Sequence, residues 1–127
     1  MTTLKFSIAA NPPRMITLVK HGELPDDEID FCTDTGPRTV VTGRGLALGA
    51  GDTVKLELRP NKGDAIAVLD QLRDIQSSPD GTQLSFLNYV NSSSHPDGSW
   101  WGHDVLLTIT IGGNPTTRWL KFHAPAA

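Results

Sequence analysis

Asn91, His95, Asp97, Trp100, Trp101, His103 and Asp104 all fall in one segment, Asn91-Ser-Ser-Ser-His95-Pro-Asp97-Gly-Ser-Trp100-Trp101-Gly-His103-Asp104. It holds two of the three tryptophans and two of the four histidines of the chain. The rest of the segment is turn formers. Exposing an indole forgoes burial worth roughly 3 kcal/mol, so adjacent tryptophans in a loop call for a reason. Either the loop folds back as a lid on the core, or it presents an aromatic surface to a ligand. Indole faces stack on the apolar face of a pyranose, while short carboxylates and amides bond its hydroxyls. Trp100 and Trp101 as the platform, with Asp97, His95, Asn91 and Tyr89 around them, point to carbohydrate recognition. The competing expectation is that one tryptophan opens the strand beginning near Val105 and caps the core while the other packs sideways. A third is that the pair anchors a subunit contact, where tryptophan is enriched.

The same residue types raise metal chemistry. His95, His103, Asp104 and His123 include zinc ligands if the loop folds over the last strand. Their spacing matches no closed zinc motif: there is no cysteine pair and no His-Glu-x-x-His. Calcium is the alternative for Glu23-Leu-Pro-Asp26-Asp27-Glu28-Ile-Asp30, which continues to Asp34. Six of the fourteen carboxylates lie between residues 23 and 34, with no basic residue among them. Hard cations want such oxygens, so Asp26, Asp27 and Asp30 are the candidate ligands, but the EF-hand spacing with its glycine is missing. A solvated acidic turn explains the run equally well. No resident cofactor is expected beyond these Zn2+ and Ca2+ candidates.

Nucleophilic catalysis finds little support, and no catalytic residue is assigned. Cys32 lies between Asp30 and Asp34 in sequence, and negative charge raises a thiol pKa, away from a reactive thiolate. Ser92, Ser93 and Ser94 precede His95, but sequence neighbours cannot form a triad. There is no Gly-x-Ser-x-Gly elbow. The glycines of Thr42-Gly43-Arg44-Gly45-Leu-Ala-Leu-Gly49-Ala-Gly51-Asp52 match neither phosphate-binding pattern and read as tight turns around a short strand.

These residues must be held by β-structure. Leu4, Phe6 and Ile8 alternate with polar neighbours, and Asn11-Pro-Pro ends that run. Met15 to Lys20 is an apolar, β-branched stretch. Ile29 and Phe31, Thr39 to Thr42, Leu46 to Leu48, and Val54, Leu56 and Leu58 continue the pattern, with Pro60 as a stop. In the last third Val105, Leu107, Ile109 and Ile111 face a core while Leu106, Thr108 and Thr110 face away. Gly112-Gly-Asn-Pro115 turns the chain. Leu120 and Phe122 return inward, and Trp119, Lys121 and His123 take the outer face. Between Asp64 and Gln76 the period changes: Ile66, Leu69, Leu72 and Ile75 recur every three residues behind Asp64, a good N-cap, and predict one helix over 64–76. The rival is a hairpin turning at Ser78-Pro79-Asp80-Gly81 into Gln83 to Val90.

Eight or nine strands at about 8–12-residue spacing predict an all-β fold, an antiparallel β-sandwich or small barrel with one short helix. At 127 residues, residues 1–127 fit a single domain. Twelve glycines and nine prolines agree with many turns. A net charge near −3 with eleven scattered basic residues supplies no field for nucleic acid or an anionic membrane, so neither is an expected partner. Cys32 is the only cysteine, which with the absence of a signal-peptide pattern or a membrane-length apolar run leads to a soluble, cytoplasmic expectation, export by a non-classical route remaining compatible. The functional expectation is a non-enzymatic, lectin-like binding module with a glycan or other small-molecule ligand. The alternatives are a self-associating structural protein, a homo-oligomer whose aromatic face (Trp119 with Lys121 and His123) is buried between subunits, and a small metal-dependent enzyme.

Overall fold

A computed structural model describes residues 14–30, 37–69, 72–88 and 100–124. Along them run β1 (Met15–His21), β2 (Glu28–Ile29), β3 (Thr39–Arg44), β4 (Thr53–Leu58), β5 (Ala67–Leu69), β6 (Arg73–Ser77), β7 (Gln83–Leu87), β8 (Asp104–Ile111) and β9 (Asn114–Phe122). The fold is all-β. One sheet has the order β1-β3-β7-β6 and the other β2-β9-β8-β4-β5. Every pairing is antiparallel except the short β2–β9 contact, which is parallel. The expected strand at Leu4 to Ile8, together with Phe31 and Cys32, lies outside the described residues.

Period-2 patterning builds the core. Val105, Leu107 and Ile109 of β8 and Val54, Leu56 and Leu58 of β4 are buried on one face. They meet Ile16, Val19, Val41, Leu84 and Phe86 from the other sheet and Leu120 and Phe122 from β9 in a single apolar cluster. The β8–β9 hairpin turns on Gly112 and Gly113, whose φ angles of +59° and +81° suit the mirror-image two-residue turn that follows strand twist. On the outer face of the second sheet, Glu57, Leu106 and Trp119 share one cross-strand row.

One side of the sandwich is closed. The Asp27 N–H donates to Val19 O at 2.8 Å, and the Lys121 N–H donates to Asp27 O at 2.9 Å, so this residue stitches β1 to β9. Its side chain repeats the link: Oδ1 accepts the Val19 N–H, and both carboxylate oxygens accept from Arg118, Nε and Nη2, at 2.8 Å. The guanidinium also reaches Ile16 O at 3.0 Å. The Arg118 hydrogen bonds hold the Asp27 carboxyl below its ordinary range. On the other side, β5 and β6 are the edge strands of the two sheets among the described residues.

Two sequence expectations are corrected. The predicted helix over 64–76 does not form; β5 and β6 occupy that span, and β6 pairs antiparallel with β7 through the turn at Ser78–Gly81, as in the rival hairpin reading. The period-three match misleads because its residues share no face: Leu69 and Leu72 pack against the core, whereas Ile66 is 67% exposed and Ile75 38%. Leu46 to Leu48 is likewise not a strand. Leu46 is fully buried, its N–H bonded to Gly81 O, and Leu48 N–H donates to Ser77 Oγ.

Candidate site at the loop end of the sandwich

The two ends of the sandwich differ. At one end the turns are closed by their own polar groups: Asp52 accepts the N–H groups of Gly49 and Gly112, and Asp80 accepts from Ser78 and Thr82. The Gly49 and Gly112 bonds pull the Asp52 carboxyl below its ordinary range, and the hydroxyls of Ser78 and Thr82 do so for Asp80. The other end gathers the end of β1, the start of β3, the end of β7, the start of β8 and the end of β9. There lies the turn that carries the tryptophans.

Trp100 and Trp101 part company at this turn. Trp100 is 6% exposed, its ring 5.7 Å from that of Phe122 at a 55° tilt, and it belongs to the core cluster. It offers no stacking face to solvent. Trp101 is 47% exposed. The turn between them and β8 is pinned to β9: Gly102 N–H donates to Phe122 O at 2.8 Å, and Phe122 N–H to His103 O at 2.9 Å. The exposed indole is therefore carried on a backbone anchored by its buried neighbour. Tyr89, Asn91, His95 and Asp97 lie outside the described residues.

At this same end of the sandwich, a cleft of about 380 Å3 is lined by His21, Glu23, Leu24, Asp30, Pro37 and His123, with Gly22. A buried chain of hydrogen bonds shapes it. Asn88 Nδ2 donates to Asp30 O, Thr39 Oγ1 donates to Asn88 Oδ1 at 2.7 Å, and His21 Nδ1 meets Thr39 Oγ1 at 2.9 Å. Thr39 and Asn88 are fully buried and His21 nearly so. The single hydroxyl proton of Thr39 is spent on Asn88, so Thr39 can only accept from the imidazole. The proton of neutral His21 therefore sits on Nδ1, and Nε2 is its acceptor nitrogen. Burial pushes the His21 pKa below its ordinary 6.5, with the Asp30 charge pulling the other way and His123 adding to the depression. His123 is oriented by a carboxylate, its Nδ1 donating to Glu28 Oε1 at 2.8 Å.

The metal candidates scatter. Asp26 faces Lys20 at 3.6 Å, Asp27 is held by Arg118, and Asp104 pairs with Lys121 at 2.9 Å. His103 stays in the tryptophan turn, its N–H donating to Trp100 O. Among the described members of the two candidate sets, only Asp30 and His123 come to one place, the cleft, and they do so with His21. Among the described residues no group of three or more histidine, cysteine, aspartate or glutamate side chains is arranged to hold a metal ion. His95 lies outside the described residues.

The aromatic outer face is engaged within the chain: Lys62 Nζ stands 5.5 Å over the Trp119 ring, Lys121 pairs with Asp104, and His123 with Glu28. Sequence reasoning passed over His21, Thr39 and Asn88. The signal for His21 was its place at the polar end of an otherwise apolar strand; Thr39 and Asn88 carried none, because a buried hydrogen-bond chain between distant strands has no local pattern. Among the described residues no helix is long and apolar enough to cross a membrane. In comparisons with known proteins, no family model, no curated protein and no solved structure matches the chain.

Proposed function

We propose that this protein is a non-enzymatic binding module that takes a carbohydrate at the loop end of its sandwich. The observation that carries the reading is the exposed indole of Trp101 on a turn anchored by the buried Trp100. A ring so held gives up little further freedom on stacking against a pyranose, the condition under which an aromatic contact contributes most to affinity. The cleft at the same end of the sandwich carries carboxylates and imidazoles, groups of the kind that bond hydroxyls. The platform is one tryptophan rather than the pair. A cytoplasmic setting goes with this reading, since the lone Cys32 offers no intrachain disulfide. Titration with a panel of mono- and oligosaccharides tests it: one sugar should bind the native protein, and Trp101→Ala should lose that binding while unfolding as cooperatively as the parent.

Self-association is the second reading, and a separate observation favours it: Val68 in β5, the edge strand of the second sheet among the described residues, and Ile66 just before it are 49% and 67% exposed.

A further inference from the structure

A second concavity lies on the outer face of the first sheet, toward the end whose turns are closed by their own polar groups. It holds about 200 Å3, and its described lining is Gln76, Ser77 and Ser78 from β6 and the turn after it, with Gln83 and Ser85 from β7. These are amides and hydroxyls, uncharged at neutral pH. Strand pairing sets their places: Gln76 stands opposite Ser85, and Gln83 lies two residues along β7 on the same face. An ion pair beside the groove holds two of them. Arg38 and Asp74 meet at 2.6 Å; Arg38 Nε donates to Ser85 Oγ at 3.1 Å, and Gln76 Nε2 donates to Asp74 Oδ1 at 3.1 Å. Ser85 thus keeps its hydroxyl proton to give, and Gln76 keeps Oε1 and one amide proton. The Gln83 amide bonds to nothing among the described residues. Ser77 and Ser78 are engaged, Ser77 Oγ by the Leu48 N–H and Ser78 Oγ by Asp80.

We propose that this groove is a second saccharide site, for one uncharged sugar ring, which makes the protein divalent. A sugar hydroxyl both donates and accepts, so two neighbouring hydroxyls match a side-chain amide, which presents a donor and an acceptor in one plane. Two such amides with the Ser85 hydroxyl beside them offer that pattern. The ion pair that fixes Gln76 and Ser85 reduces the freedom lost on binding. A peptide strand fits less well, because the bulge between Arg73 and Gln76, with Asp74 at a φ of +52°, breaks the β6 edge next to the groove. A volume of about 200 Å3 lies below the roughly 300–1,000 Å3 of a drug-sized site and suits a single ring. Among the described lining there is no aromatic ring to stack on, so this is the weaker of the two sites; Trp101→Ala loses the tighter binding and leaves this one in place. The class of ligand rests on the carbohydrate reading, and the place on the groove alone.

The experiment follows the side-chain amide resonances of Gln76 and Gln83 in the full chain, native and Trp101→Ala, during titration with glucose, galactose, mannose and N-acetyl-triglycine amide. At least one sugar should shift both resonances saturably, in Trp101→Ala as in the native protein. Gln83→Ala, a change at an exposed position, should weaken the response read at Gln76 about tenfold, the ratio two neutral hydrogen bonds supply. Far-ultraviolet circular dichroism checks that the variants stay folded. No shift with any sugar would overturn the second site, while tryptophan emission still reports separately on the loop end. Loss of the shift in Trp101→Ala would also overturn it, since the response would then belong to the loop end. A response to the peptide amide alone would overturn the sugar assignment. Shifts at the groove, with tryptophan emission indifferent to every sugar, would support the groove and remove the loop-end reading.

Discussion

Adjacent indoles at Trp100 and Trp101 do different work, and substitution separates them. Trp100 is packed on Phe122 inside the core, so Trp100→Ala should cost about 3–5 kcal/mol in a urea melt, the range for emptying an aromatic core site. Trp101→Ala should fall within about 0.5 kcal/mol of the parent, as surface changes do. Equal losses would mean that both rings are structural. His21 gives the residue scale its pH dependence. Its folded pKa lies below the ordinary 6.5 because burial disfavours the charged ring. Above pH 6.5 neither state takes the proton and His21 adds no slope. As pH falls below 6.5 the unfolded chain binds the proton first, so stability declines until the folded pKa is passed. Urea melts between about pH 7.5 and pH 5.5 should show this decline, and His21→Gln, which keeps an N–H for Thr39, should flatten it. An unchanged slope in that variant would contradict the burial of His21. The sequence allowed a division between the two tryptophans, one capping the core, but did not say which of them turns inward. Which ring turns inward depends on where Phe122 lies, and that is a contact across the β8–β9 hairpin.

At the scale of elements, the closed and open sides of the sandwich behave differently. Asp27 and Arg118 close one side with a two-pronged ion pair that also caps a main-chain link between β1 and β9. The opposite edges are β5 and β6. A bulge between Arg73 and Gln76, with Asp74 at a φ of +52°, interrupts the edge of β6, a common protection against strand addition. The edge of β5 is short but carries Val68, with Ile66 just before it, both facing solvent. Under the self-association reading, sedimentation at several concentrations should show a reversible dimer that Ile66→Lys abolishes; a strict monomer at every concentration would end that reading. Strands with clean alternation, β4, β8 and β9, were legible because a single buried face imposes period two. The 64–76 span was not. Its apolar residues are divided between core contact and an exposed edge, and local spacing cannot tell a helix face from two edge strands in different sheets.

For the whole molecule, composition and turn spacing sufficed for the class of fold, while strand order did not follow from either. The order β1-β3-β7-β6 over β2-β9-β8-β4-β5 is set by non-local pairing. That order brings His21, Asp30 and His123 to one cleft although more than 90 positions separate the first from the last. The candidate site was legible only in its tryptophan turn; its cleft required the tertiary structure. The most direct measurement on the central claim is tryptophan emission with acrylamide quenching, for the native protein and for Trp101→Ala, across the sugar panel. The native protein should show a readily quenched component that Trp101→Ala removes and that one sugar protects. Emission indifferent to every sugar, with the exposed component unprotected throughout, would contradict the binding reading.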